Sequence, residues 1–225
     1  TGKPLVDVIL DVAKQKGTGR WTSMSALALG VPAPTITEAV FARTMSSQKE
    51  ERLVLSERYR DLAFEGAELD RPAVLEDLRQ ALYASKICAY AQGFNLLEEA
   101  GKVYGWDLQM GRIAKIWRSG CIIRARFLDT VSEIFEKESS MTNLLASGYF
   151  SQVLYGARAG WGRIISLAVK RGAAVPALSS AIAYFDSYHT ARGSANLLQA
   201  QRDCFGAHTY ERIDKEGAFH TDWMN

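Results

Sequence analysis

The residues best suited to do chemistry lie in one short stretch near the start of the chain. Residues 14–22 have the sequence KQKGTGRWT, which puts three cations and two glycines into a turn between two expected helices. Glycines expose backbone amides and the start of a helix adds partial positive charge, so such a turn can bind phosphate or carboxylate. Lys16 and the hydroxyl of Thr18 would complete the site. The alternative is a helix C-cap with solvated lysines, because glycine is common at helix ends.

The turn matches no standard nucleotide motif, and other catalytic motifs are also missing from the sequence. The glycine spacing of a P-loop is absent and no strand precedes the turn, and the stretch is not a dinucleotide fingerprint either. His189, His208 and His220 lack the spacing of metal ligands. No G-x-S-x-G elbow occurs and no pair of acids requires a glycosidase reading. The sequence therefore predicts no metal site.

Two further cationic positions could serve an anion. Arg43 ends the segment VFAR, where a charge stands among residues typical of a core; the alternatives are a snorkelling arginine or a structural ion pair. Arg202 and His208 open the last segment of the chain within RDCFGAH, where a cation and a titratable imidazole stand beside glycine. The alternative there is a surface tail.

The elements that must position these residues are predicted to be helices throughout. Apolar residues recur at helical spacing almost everywhere, and no alternating run is long enough for a confident strand. The longest pattern, residues 72–100, predicts a central helix buried on most sides around residues 81–94. The fold class is therefore all-α, a multi-helix bundle round this helix with an extended C-terminal tail. Other helices are predicted at 4–13, from Thr22 to Gly30, from Thr35 or Thr37 through Met45, and at 107–119, 122–137, 149–171 and 176–188.

Composition gives no reason to expect a nucleic-acid or membrane partner. The 27 basic and 25 acidic side chains leave a net charge of +2. The longest stretch without charged residues, 139–157, is too polar to span a bilayer. Three widely spaced cysteines argue against a disulfide framework and favour a reducing, cytoplasmic location. The chain begins with Thr1 rather than Met, which suggests processing or a piece of something longer.

Five passages of the sequence together resemble one family, the decarboxylating 6-phosphogluconate dehydrogenases of the pentose phosphate pathway. The resemblance covers essentially the whole chain in order. The passages are KGTGRWT (16–22), VFAR (40–43), ALYASKI (81–87), AKIWRSGCIIR (114–124) and QAQRDCFGAHTY (199–210). Arg20 stands where lysine is frequent in the family and Cys204 where tyrosine is frequent, and neither is an assigned site residue.

The resemblance implies a role for each candidate residue. Lys16 and Thr18 would contact 6-phosphogluconate from the glycine turn, and Arg43 would bind its phosphate. Arg202 and His208 would reach the substrate from the other subunit of a homodimer, whose tail threads into its neighbour. A phosphate dianion needs several cations, with arginine giving bidentate geometry and lysine a point charge, so these residue types suit the task.

The resemblance also implies which parts of the enzyme this chain lacks. It corresponds to the all-helical substrate-binding and dimerisation domain (1–201) and the tail (202–225), with no counterpart of the amino-terminal Rossmann domain that mainly binds NADP. The family's catalytic lysine and glutamate lie upstream, so no catalytic residue is assigned here. The chain alone is then expected to be inactive. The alternative function is a non-catalytic helical dimerisation module that binds a phosphorylated metabolite.

Overall fold

A computed structural model describes residues 2–64, 66, 68–118, 120–138 and 141–224. Their contacts divide the chain into two compact units, Thr1–Tyr184 and Phe185–Asn225. Thr1 and Asn225, the outer limits of the expected domain and tail, lie outside the described residues. The helices in the described part are α1 Thr18–Ala28, α2 Pro34–Ser47, α3 Lys49–Arg58, α4 Arg71–Tyr104, α5 Met110–Arg118, α6 Leu128–Lys137, α7 Gly148–Lys170, α8 Pro176–His189 and α9 Ala195–Gly206.

The predicted central helix is confirmed as α4. Its amino terminus is capped by Asp70, whose carboxylate accepts the amide of Ala73 at 3.3 Å, and its carboxyl end stops at Gly105 in the left-handed conformation. Its middle packs mainly against α7, where small residues let the two helices approach closely. The buried side chains of the pair are Ala81, Ala84, Ile87, Cys88, Ala91 and Phe94 of α4 and Phe150, Leu154, Ala157, Trp161, Ile164 and Ala168 of α7.

Gly160 of α7 shows how close that approach is. A Cβ at this position would lie 2.6 Å from Oε1 of Gln80 and 2.7 Å from Oδ1 of Asp77, so only glycine fits. One turn along, Arg163 donates two hydrogen bonds to Asp77 at 2.7 and 2.6 Å. These bonds hold the pKa of the Asp77 carboxyl below its ordinary value. Packing and charge pairing therefore fix the same contact.

The pair α1–α2 is fastened to α4 by a small core and a buried polar clamp. Ala26, Ala33 and Leu96 form the core. Beside it, the side-chain amide of Gln92 accepts the backbone amide of Thr35 at 3.0 Å and donates to the Thr35 hydroxyl at 2.9 Å. Thr35 stands in the first turn of α2, where backbone amides lack helical partners. Gln92 thus acts as a tertiary cap for α2, the helix that carries Arg43.

The predicted first helix is wrong. Only Leu5–Val8 form a helical turn, of the 3-10 type, and Ile9 is already extended. The following residues bond to other elements instead: Asp11 accepts from Lys49 and Arg52. The segment also contains the β-branched residues Val6, Val8, Ile9 and Val12, which are weak helix formers and disfavour a longer helix here.

Two other helix starts were also misplaced. Helix α1 begins at Thr18 rather than after Thr22, whose hydroxyl donates to the carbonyl of Thr18 at 2.9 Å and does not cap the helix. Helix α6 begins at Leu128 and not at Ile122, and the carbonyl of Ile123 accepts a hydrogen bond from the hydroxyl of Tyr90. Ser119, the expected end of α5, lies outside the described residues.

The second unit is more ordered than the extended tail that we expected. The expected boundary at Arg202 falls inside α9, which continues to Gly206. Beyond it Tyr210–Glu211 and Ala218–Phe219 pair as two short antiparallel strands, β1 and β2. None of the described helices combines the length and the hydropathy that crossing a membrane requires.

Candidate functional site

The glycine turn forms the amino terminus of α1. Gly17 is the N-cap residue with a φ of 100°, a backbone conformation that side chains rarely adopt, so glycine is required here. The first helical hydrogen bond runs from the amide of Trp21 to the carbonyl of Gly17 at 2.9 Å. The amides of Thr18, Gly19 and Arg20 therefore precede the helical ladder and are available to an anion.

Arg43 lies on the side of α2 that faces this turn. Val40, Arg43 and Ser46 are spaced by three residues and share one side of the helix. A Cβ on Gly19 would lie 2.9 Å from Cγ2 of Val40, which shows how closely α1 packs there. Three residues beyond Arg43, the hydroxyl of Ser46 accepts the amide of Ala13 at 2.9 Å. The chain on both sides of the glycine turn is thus held against the face that carries Arg43.

The cations of this group are exposed and not engaged elsewhere. Lys16 and Arg43 are both exposed, and neither has an ion-pair partner within the described residues. The structure therefore gives no support to an ion pair as the role of Arg43. By contrast, Arg52 and Lys49 bind Asp11 at 2.8 and 2.7 Å and hold the pKa of that carboxyl well below its usual range. Lys16 and Arg43 thus have no ion-pair partner among the described residues that would compete with a ligand.

Arg202 and His208 form a second group, at the end of α9. Nδ1 of His208 donates to the backbone carbonyl of Arg202 at 3.1 Å, and both side chains are exposed. A Cβ on Gly206 would lie 2.6 Å from Cε1 of His208, so the imidazole folds back over a position that needs glycine. The structure brings these two predicted residues together within their own unit.

Asp203 organises the chain around this second group. Its carboxylate is fully buried and accepts four hydrogen bonds, from the amides of Thr209 and Thr221, Nδ1 of His220 and Nε1 of Trp223, at 2.8 to 3.0 Å. Burial alone would raise the pKa of Asp203, but the four donors outweigh it and hold the pKa well below its usual range. The carboxylate joins α9 to the residues that follow β1 and β2.

Sequence reasoning missed the residues that support the candidates. Asp203 gives no clear signal in the sequence, because it follows Arg202 in a helix that also carries Asn196, Gln199 and Gln201. Gln199, which donates to the carbonyl of Thr209 at 2.5 Å, gave no signal. Ser46 gave none either, since its role depends on a long-range contact with Ala13.

Within the described residues, no cluster of side chains suits a metal ion, and no dinucleotide-binding fold is present. No group of three or more His, Cys, Asp or Glu side chains in this part of the chain could hold a metal ion. The strands found there, β1 and β2, have two residues each and pair antiparallel. A dinucleotide-binding fold instead needs a parallel sheet in which a strand leads into the glycine turn. What these residues can do is bind an anion, with helix amides, a hydroxyl and cations.

Comparison with known proteins gives one consistent result. Residues 1–223 match the family model described as 6-phosphogluconate dehydrogenase, C-terminal domain. The NADP(+)-dependent decarboxylating 6-phosphogluconate dehydrogenase of Bacillus subtilis is 54% identical over 100% of the chain and 48% of its own length. The NAD(+)-dependent enzyme of the same organism is 48% identical over 99% and 48%. The Escherichia coli enzyme is 50% identical over 100% and 48%.

A solved structure is similar over the same extent. The 6-phosphogluconate dehydrogenase of Plasmodium falciparum, studied in its apo form and in complex with NADP+ and with 6-phosphogluconate, superposes with a TM-score of 0.92 at 39% identity. The match covers 99% of this chain and 48% of that one. The chain thus spans about half the length of the relatives that it matches.

Proposed function

The chain belongs to the 6-phosphogluconate dehydrogenase family, and we propose that it is the substrate-binding and dimerisation part of a decarboxylating enzyme of that family. The complete enzyme oxidises 6-phosphogluconate at its 3-hydroxyl, releases carbon dioxide and yields ribulose 5-phosphate in the pentose phosphate pathway. NADP is the proposed oxidant and accepts the hydride. The proposed location is the cytoplasm.

The free cations beside the glycine turn are the observation that carries this proposal. Lys16, the hydroxyl of Thr18 and the leading amides of α1 lie on the side of α2 that presents Arg43. A phosphate dianion is bound best by such a mixture of charge-assisted hydrogen bonds, with arginine giving bidentate contacts. We assign the substrate phosphate to Arg43, and contacts with the rest of the substrate to Lys16 and Thr18.

The work of these residues is binding and orientation. Holding the phosphate fixes the position of the sugar-acid chain, and fixed position lowers the barrier of the chemical steps. The proton-transfer groups of the reaction are assigned to a part of the enzyme that precedes Thr1. The described residues do not form a dinucleotide fold, so the same part is proposed to hold NADP. This chain alone is accordingly expected to show no turnover.

The second group completes the site in the proposed homodimer. Arg202 and His208 of one subunit would reach the substrate bound by Lys16, Thr18 and Arg43 of its partner. The unit that carries them exposes large apolar side chains, including Phe205 at 85% and Ile213 at 91%. Exposed apolar surface on this scale is typical of protein interfaces, which supports burial against a partner subunit.

A second candidate function is a non-catalytic helical dimerisation module that binds a phosphorylated metabolite. The observation that favours it is that the described residues include an anion site but neither a dinucleotide fold nor an assigned acid and base. Detection of a Rossmann domain encoded just upstream of Thr1 would decide for the enzyme. Its absence would favour the module.

Arg43→Ala in the complete enzyme tests the assignment of the phosphate. Titration with 6-phosphogluconate should show affinity lowered by about tenfold to a hundredfold, because a charge-assisted pair to phosphate is lost. Arg58→Ala is the matched control, since Arg58 is an exposed helical arginine of the neighbouring α3, and it should bind normally. Unchanged affinity in Arg43→Ala would remove Arg43 from the site.

A further inference from the structure

One side chain in the second unit, that of Gln199, forms hydrogen bonds with Arg202 and with the residue that follows His208. Gln199 stands on α9, one turn before Arg202. Its Oε1 accepts a hydrogen bond from Nη1 of Arg202 at 3.1 Å, and its Nε2 donates to the carbonyl of Thr209 at 2.5 Å. A guanidinium can only donate and a carbonyl can only accept, so both bonds require this orientation of the amide.

The backbone around His208 has a conformation that must be held in place. Ala207 and Thr209 have φ values of 50° and 61°, in the left-handed region that residues other than glycine rarely occupy. The backbone of Thr209 is held at both of its polar groups, since its amide donates to Asp203 at 2.9 Å and its carbonyl accepts from Gln199. His208 lies between these two strained residues and donates to the carbonyl of Arg202.

We propose that Gln199 is a positioning residue for substrate binding, which sets the guanidinium of Arg202 and the imidazole of His208 in one fixed arrangement. This inference rests on the proposed function, in which Arg202 and His208 contact 6-phosphogluconate. Gln199 itself does not touch the substrate. Its amide orients Arg202 directly, and it orients His208 by holding the carbonyl of the next residue, Thr209.

The position of Gln199 separates this role from an ordinary surface contact. Gln199 is half-buried, whereas Gln201, two residues later on the same helix, is exposed. Residues two apart on a helix point in different directions, so Gln201 shares the local sequence and helix but not the contacts. It is therefore a matched control for the amide of Gln199.

The experiment measures binding and turnover in the complete enzyme with Gln199→Met, which keeps length and helix propensity but removes both hydrogen bonds. The Kd and KM for 6-phosphogluconate should rise by about five- to tenfold, since a hydrogen bond to a charged group is lost. The value of kcat should change by less than about twofold, because bound substrate still reaches the upstream catalytic groups. Gln201→Met should match the wild type, and Gln199→Ala should repeat the effect without added bulk.

A double-mutant comparison distinguishes positioning from a general effect on stability. Once Arg202→Ala and His208→Ala are present, adding Gln199→Met should raise the Kd by less than about twofold, because there is nothing left to position. If Gln199→Met raised the Kd by the same factor in the wild type and in the Arg202→Ala, His208→Ala variant, the proposal would be overturned. Unchanged binding in Gln199→Met when Arg202→Ala weakens it would also overturn the proposal, and the proposed function would then stand. Unchanged binding in the Arg202→Ala, His208→Ala variant would overturn the proposed substrate contacts and the positioning role together.

Discussion

Buried polar side chains hold several parts of this chain in place. Asp203 is the clearest case, because a carboxylate without solvent is tolerated only when its lone pairs are filled. Each of the two carboxylate oxygens of Asp203 accepts two hydrogen bonds, and the four donors lie between Thr209 and Trp223 in the chain. The ionised form of one side chain therefore organises the last part of the second unit.

This arrangement predicts a defined response to acid. Asp203 has a pKa below its ordinary value of 3.8 in the folded chain, so its contribution to stability is complete above that value and is lost as the pH falls below it. The free energy of unfolding, measured in urea, should therefore fall as the pH is lowered from about 4 to about 2, and the part due to Asp203 is the difference from a variant that lacks the carboxylate.

Asp203→Asn supplies the control for the acid response. An amide presents a donor where the carboxylate accepts, so the variant should be less stable than the wild type at neutral pH, and the difference between the two should shrink as the pH falls from about 4 to about 2. A difference in stability between the wild type and the variant that stays constant from neutral pH to about pH 2 would show that the ionised carboxylate of Asp203 does not hold this region.

The sequence was a good guide to residues that are suited to a ligand and a poor guide to residues that support them. Lys16 and Arg43 could be selected because their types and their neighbours are visible in the chain order. Gln92 and Gln199 could not, because each acts through an amide whose partners are set by tertiary structure. The substrate contacts of Lys16 and Arg43 are proposed from the family resemblance together with the geometry of the glycine turn.

At the scale of elements, the position of α2 depends on one tertiary cap. Gln92 is fully buried in α4 and fills both polar groups that Thr35 presents at the start of α2. Without it the amide of Thr35 would be buried and unsatisfied, which is more costly than the loss of an exposed hydrogen bond. The direction of α2, and with it the placement of Arg43, depends on this clamp.

Gln92→Leu should therefore destabilise the first unit by about 2 to 4 kcal/mol, since two buried hydrogen bonds are lost and a backbone donor is stranded. Thr35→Val, which keeps the backbone donor paired with Oε1 of Gln92, should cost about 1 kcal/mol. Urea unfolding followed by circular dichroism measures both. Gln152→Leu, at an exposed position of α7, should stay within about 0.5 kcal/mol of the wild type. A larger loss in Thr35→Val than in Gln92→Leu would contradict the capping role.

Helix prediction succeeded where periodicity and burial agree. Residues 72–100 have a long apolar repeat and the structure buries it, so α4 was found with an error of a few residues. The stripe in residues 4–13 has the same spacing, yet Leu5 is 74% exposed and only Leu5–Val8 form a helical turn. Periodicity alone cannot tell a repeat that is packed within the chain from one that is not.

At the scale of the whole molecule, the two groups of candidate residues belong to separate compact units. Lys16, Thr18 and Arg43 lie in the first unit, and Arg202 and His208 lie in the second. The chain spans about half the length of its relatives, and its described residues include the proposed substrate contacts but no dinucleotide fold. In the proposed enzyme, the second subunit and the upstream domain supply the other parts of the site.

Mixed dimers test whether the tail serves the neighbouring subunit. Arg43→Ala and Arg202→Ala each damage every site when present in both subunits of the complete enzyme. If Arg202 completes the partner's site, a mixed dimer has one site with both defects and one with neither. Refolding the two variants together at equal concentration should then restore about a quarter of the wild-type sites, counted by titration with 6-phosphogluconate. If Arg202 served its own subunit, every site would keep one defect. Mixing that restores no site, while sedimentation shows that dimers have formed, would contradict tail exchange.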